Sequence, residues 1–71
     1  MEVTYDEGAD ATYIYLRDPS SRKGTVQSLP VADAPGMVFL DFDIDGCLFG
    51  VEVLDASKVL PPELIATATR R

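Results

Sequence analysis

Residues 41–52 read Asp-Phe-Asp-Ile-Asp-Gly-Cys-Leu-Phe-Gly-Val-Glu. Their spacing, D-x-D-x-D-G-x5-E, is that of a calcium-binding loop in which side-chain oxygens and a distal glutamate close around one ion. Such a loop needs a helix on each side to aim its first and last ligands. Here Pro35-Gly36 leaves only Met37–Leu40 ahead of it. The residues behind it, Phe49-Gly50-Val51-Glu52-Val53, are poor helix formers. Phe49 falls at the ninth loop position, where an oxygen or a water is required. A β-hairpin accounts for the same letters. Alternation puts Asp41 and Asp43 on one strand face and Phe42 on the other, and Asp45-Gly46 supplies the turn. A weaker calcium or magnesium site of Asp41, Asp43 and Asp45 at the hairpin end stays open. It requires a melting temperature that rises with calcium and no longer does so in Asp43→Asn.

Other residues could carry acid–base chemistry. Asp6, Asp10, Glu52 and Asp55 are candidate carboxylate pairs. Against this, Asp6 and Asp10 suit a turn and Asp55 suits a helix cap. Glu52 shares a strand face with Gly50, and Tyr13 or Tyr15 would lie beside it. A carboxylate there would be partly desolvated under a second subunit and would need a partner such as Arg17. Tyr5, Tyr13 and Tyr15 form an aromatic group on the first hairpin, read as a packed or dimer-forming face. Ser57 has no histidine to activate it, since the chain contains none. Lys58 reads as a surface lysine. Cys47 sits among aspartates, which oppose a reactive thiolate. No phosphate-binding glycine loop occurs. The chain is therefore assigned no catalytic residue, no cofactor and no metal ligand.

Composition narrows the rest. Seventy-one residues imply a single small domain over 1–71. A domain of this size is marginal alone and usually leans on a disulfide, a metal or a partner. Cys47 is the only cysteine, so no internal disulfide can form. A partner subunit is the expected staple, and a homodimer the expected state. The lone thiol fits a reducing, cytoplasmic setting. Six Lys+Arg against twelve Asp+Glu give a net charge of −6. That field repels nucleic acid and anionic membranes, so neither is expected as a partner, whereas another protein is compatible. No apolar run approaches the roughly 20 residues that span a bilayer, and the N-terminus does not resemble a signal peptide.

Periodicity then places the elements. Strands are expected at about 2–5, 11–17, 25–31, 37–43 and 47–54, with Pro30 marking an edge or a strand end. Helical turns are expected at about 55–60, capped by Asp55, and at 62–69 after Pro61-Pro62. The fold class is α+β: an antiparallel sheet of four to five strands built from two hairpins, plus one or two short C-terminal helices. Ile14, Leu16, Val38, Leu40, Phe42, Val51 and Val53 are the core candidates. Met37 and Phe39 oppose Val38 and Leu40, so both sheet faces carry apolar residues. One face should meet the helices and the other a second subunit.

The chain also resembles a family through particular residues. Tyr5-Asp6 with Ala9-Asp10, Tyr13-Ile14 with Leu16, Asp41-x-Asp43-x-Asp45-Gly46, and Gly50-Val51-Glu52-Val53-Leu54-Asp55-Ala56-Ser57-Lys58 are similar to the pattern of the small bacterial domain of unknown function 2283 (DUF2283). Residues 3–60 carry this resemblance; 18–36 match little and 61–71 lie beyond it. The resemblance implies a small stand-alone bacterial protein and supports the hairpin. It carries no activity and no site residue. A self-associating, non-catalytic module that binds a protein is the leading functional expectation. A carboxylate enzyme with a site at a dimer interface, using Glu52 and an aspartate, is the alternative, beside the weak cation site.

Overall fold

The computed structural model describes residues 1–18, 20 and 27–71. Six strands form one sheet: β1 (Glu2–Asp6), β2 (Ala11–Tyr15), β3 (Gln27–Pro30), β4 (Met37–Phe42), β5 (Leu48–Leu54) and β6 (Thr69–Arg70). Two short helices, α1 (Ala56–Val59) and α2 (Pro62–Thr67), stand between β5 and β6. The strand order is β3-β4-β5-β2-β1-β6. The β1–β2, β3–β4, β4–β5 and β2–β5 pairings are antiparallel, and β1–β6 is parallel.

The architecture is α+β, as the periodicity predicts, but the sheet has six strands and is mixed. The helix expected through residue 69 ends at Thr67, where Ala68 turns extended (φ −69°, ψ 152°). Thr69 and Arg70 then pair with Thr4 and Tyr5. β-Branched Thr69 gains more from the free edge of β1 than from another helical turn. A parallel return cannot be made by a tight turn, so α1 and α2 cross one face of the sheet; no described helix packs over the other, called the open face below. Residues 25 and 26 of the third expected strand lie outside the described residues.

Alternation and register sort every strand side chain to one face. On the helix side, Val38, Val53, Thr12 and Tyr5 stand in one row across β4, β5, β2 and β1. Tyr5, Val53 and Ala56 are buried there, with Val38, Val51, Val59, Leu60, Ile65 and Ala68 packed around them. Of the expected core, Val53 is buried and Ile14, Val38, Leu40, Phe42 and Val51 are half-buried. Leu16 is 44% exposed, because β2 stops at Tyr15 and the chain bends away. Phe49, which is 1% exposed, does more of the burying. It is the extra residue of a bulge: Asp41 opposes Gly50 while Phe42 opposes Leu48.

Candidate functional site

The Asp41–Glu52 segment is a hairpin. Asp43 N–H bonds the Cys47 carbonyl at 2.9 Å, Gly46 N–H bonds the Asp43 carbonyl at 3.0 Å, and Gly46 takes φ +79°. Strands, not helices, flank it, so it is not a helix–loop–helix calcium site. Its aspartates have separate duties. Asp43 is 3% exposed; its Oδ1 accepts the N–H groups of Asp45 and Cys47, and its Oδ2 lies 3.2 Å from Arg17 Nη1. Arg17 thus serves Asp43 rather than Glu52, the partner expected from the sequence. Among the described residues no group of three or more His, Cys, Asp or Glu side chains is placed to hold a metal ion together.

Asp41 sits on the open face and is 8% exposed. Its Oδ2 accepts the Tyr13 hydroxyl at 2.6 Å and its Oδ1 the Ser28 hydroxyl at 2.6 Å. Tyr13 stands on β2, so its ring must cross β5 to reach β4. Gly50 makes the crossing possible: a Cβ there would lie 2.5 Å from ring atoms Cε2 and Cζ. One carboxylate thereby ties β2, β3 and β4 across the top of β5.

A second aspartate does the same at the other end. Asp10 occupies the left-handed region (φ +50°), which aspartate tolerates in turns. Its Oδ1 accepts the Tyr5 hydroxyl at 2.8 Å and the Ser57 N–H at 3.0 Å, and its Oδ2 accepts the Ser57 hydroxyl at 2.7 Å. Its carbonyl takes the Ala56 N–H. Asp55 was the expected cap of α1, but it makes no side-chain cap bond and sits at φ +52°. Asp10, brought from 47 residues away, does that work. The Ser57 and Tyr5 hydrogen bonds hold the Asp10 carboxyl below its ordinary value, and the bond to Asp10 raises the Tyr5 hydroxyl above its own. A carboxylate held charged is a poor general base, and a phenol held protonated is a poor nucleophile.

These two knots consume Tyr5, Asp10, Tyr13, Asp41, Gly50 and Ser57, all among the residues that carry the family resemblance. Sequence reasoning missed both: the pairings span 28 and 47 positions for Tyr13–Asp41 and Ser57–Asp10, and no local spacing signals them. The three tyrosines do not form one group. Tyr5 faces the helices beneath Arg70, whose guanidinium carbon is 4.9 Å from the ring centroid. Tyr13 and Tyr15 meet on the open face at 4.6 Å.

The open face is ordered in rows. Ser28, Asp41, Gly50, Tyr15 and Glu2 form one; Pro30, Phe39, Glu52, Tyr13, Thr4 and Thr69 the next; Met37, Leu54, Ala11 and Asp6 the third. Because Tyr13 leans toward Asp41, a hollow of about 310 Å³ opens beside it, lined by Thr4, Asp6, Tyr13, Glu52, Leu54 and Arg71 among others. Asp6 and Glu52, two of the expected carboxylates, both line it from strands on either side of β2. Asp55 is solvent-exposed and does not line this hollow. A shallower hollow of about 440 Å³ lies over Met1, Glu2, Leu16, Arg17 and Asp18, where Arg17 is already engaged with Asp43. Cys47 is exposed and free. No helix among the described residues is long and apolar enough to cross a membrane.

Neither a curated protein nor a solved structure matches the chain. A family model does, over residues 2–57, which contain β1 to β5, both carboxylate knots and the start of α1. That match covers most of the 71 residues, and the chain belongs to the DUF2283 family, described as a protein of unknown function.

Proposed function

We propose that this chain is a non-catalytic, self-associating protein-interaction module that docks through the open face of its sheet, and that the homodimer is its working state. The observation that carries the reading is the face itself. Phe39, Tyr13, Tyr15 and Leu54 lie half-buried on it, Met37 is 53% exposed, and no helix covers them. The molecule measures 33 × 29 × 18 Å. Its 33 × 29 Å broad side is wide enough to seat a standard interface of ~800 Å² per partner. A chain of this length without a disulfide gains most from such cover. Of the carboxylates that could suggest acid–base chemistry or a cation, Asp10 and Asp41 are held in the two knots and Asp43 by Arg17. The family pattern is bacterial, and the exposed, unpaired Cys47 suits a reducing cytoplasm.

Light scattering across a dilution series tests the reading. The wild type should run at twice 7.7 kDa and fall to the monomer on dilution. Met37→Lys, at an exposed position, and Tyr15→Glu should both shift it toward monomer while keeping the far-UV spectrum. A monomer at every concentration up to about 1 mM, where only millimolar or weaker affinity remains, overturns it.

A further inference from the structure

Resting on that self-association reading, we infer that the two copies are locked by a reciprocal exchange of charge: Arg71 of each chain meets Glu52 of the other. Each copy carries a net charge of −6, so bringing two together is opposed unless the contact pairs opposite charges. Glu52 is half-buried in the middle row, flanked on its neighbouring strands by Phe39 and Tyr13. It has no ion-pair partner among the described residues. Covering it with an apolar surface would strand a carboxylate, which is costly unless a cation arrives with the cover.

Arg71 is the cation on the rim of the same hollow. Its N–H bonds the Tyr5 carbonyl at 3.0 Å, which fixes its backbone to the β1 edge. Arg70 points to the other face, over the Tyr5 ring, so alternation turns Arg71 to the open face. Arg17 is committed to Asp43.

Symmetry does the rest. A two-fold axis lying along β2, in the plane between two facing sheets, carries each strand to its mirror position in the order β3-β4-β5-β2-β1-β6. Tyr13 and Tyr15 then meet their own counterparts, β1 lies over β5, and β6 lies over β4. Arg71 arrives beside Met37, one strand from Glu52. Glu52 lies diagonally from Met37, one strand and two residues away, a separation of about 7–8 Å, which the guanidinium spans while its stem lies on Met37. Both copies make the contact, so it counts twice. Placing the axis across the strands instead, along the middle row, would set Glu52 on Glu52.

A charge-swap cycle tests this, read by sedimentation equilibrium in low salt. Glu52→Arg and Arg71→Glu should each weaken self-association at least about tenfold. The double variant, with the charges exchanged, should return to within about threefold of wild type. The pair Glu52→Gln and Arg71→Gln gives the same cycle with less strain on the fold: each alone weakens, and the two together weaken little more than either. If the wild type associates and the charge-swapped double is no tighter than its singles, the exchange is overturned while the docking face survives. If the wild type does not associate, the face itself has failed.

Discussion

Replacing Gly50 by alanine probes the central structural claim, that Tyr13 crosses β5 only because position 50 lacks a side chain. Gly50 has ordinary extended backbone, so alanine meets no conformational penalty there. The added Cβ would nevertheless collide with the Tyr13 ring, which must lift away and give up its hydrogen bond to Asp41. Losing a donor to a buried carboxylate costs about 1.5–3 kcal/mol. Alanine in place of glycine returns about 0.5–1 kcal/mol through the unfolded chain. The net loss is about 1–2 kcal/mol, a large part of the ~4–10 kcal/mol expected at ~0.05–0.15 kcal/mol per residue. In a Tyr13→Ala background the collision is gone, and Gly50→Ala should stabilise by the same ~0.5–1 kcal/mol. Urea unfolding at one fixed protein concentration measures all four variants; with an m-value near ~1 kcal/mol/M, the wild-type-background midpoint falls by about 1–2 M. Equal destabilisation by Gly50→Ala in both backgrounds would refute the reasoning, since it would place the cause in the strand and not in the ring.

Two further substitutions follow from the polar groups. Asp10 has a depressed pKa in the folded state, so its contribution is present above the ordinary carboxylate range near pH ~4 and disappears as pH falls through the lowered folded value. Tyr5 is raised, so its contribution is present below pH ~10 and disappears as pH rises through the higher folded value. Asp10→Asn should therefore flatten both the acid and the alkaline limbs of a melting-temperature profile; an unchanged alkaline limb would separate Tyr5 from Asp10. Thr12 buries a hydroxyl that has no hydrogen-bond partner among the described residues. Thr12→Val keeps the branched shape and removes that group, and should raise stability by about 1 kcal/mol in thermal unfolding.

What the sequence discloses here follows the range of each interaction. The β4–β5 hairpin is legible because Val38 and Leu40 alternate against Val51 and Val53, and because Asp45-Gly46 admits the positive φ found at Gly46. β6 is not legible: two residues have no periodicity, and their pairing depends on an edge made by β1 more than sixty positions earlier. The cap of α1 was sought next to the helix, at Asp55, whereas a hairpin turn delivers Asp10 to it. The face of Tyr5 relative to Tyr13 is a matter of register, and register is set by which strands meet. Glu52 beside Tyr13 was legible from alternation alone; that Arg17 would go to Asp43 was not.

The aspartates that first suggest an ion or a catalytic pair are better understood as fasteners. A sheet covered by helices on one side only has few apolar contacts to hold its open side flat. Here Asp41 draws three strands together on that side, while Asp10 pins the first hairpin to the helical crossover. Both work by accepting hydroxyl hydrogens, and each carboxylate oxygen has a partner within the fold. Among the described residues, Glu52 in the hollow and Arg71 on its rim are then left without an ion-pair partner, with the aromatic rows around them. On the docking proposed above, Glu52, flanked by Phe39 and Tyr13 and without an ion-pair partner among the described residues, is where a partner's cation has the most to gain.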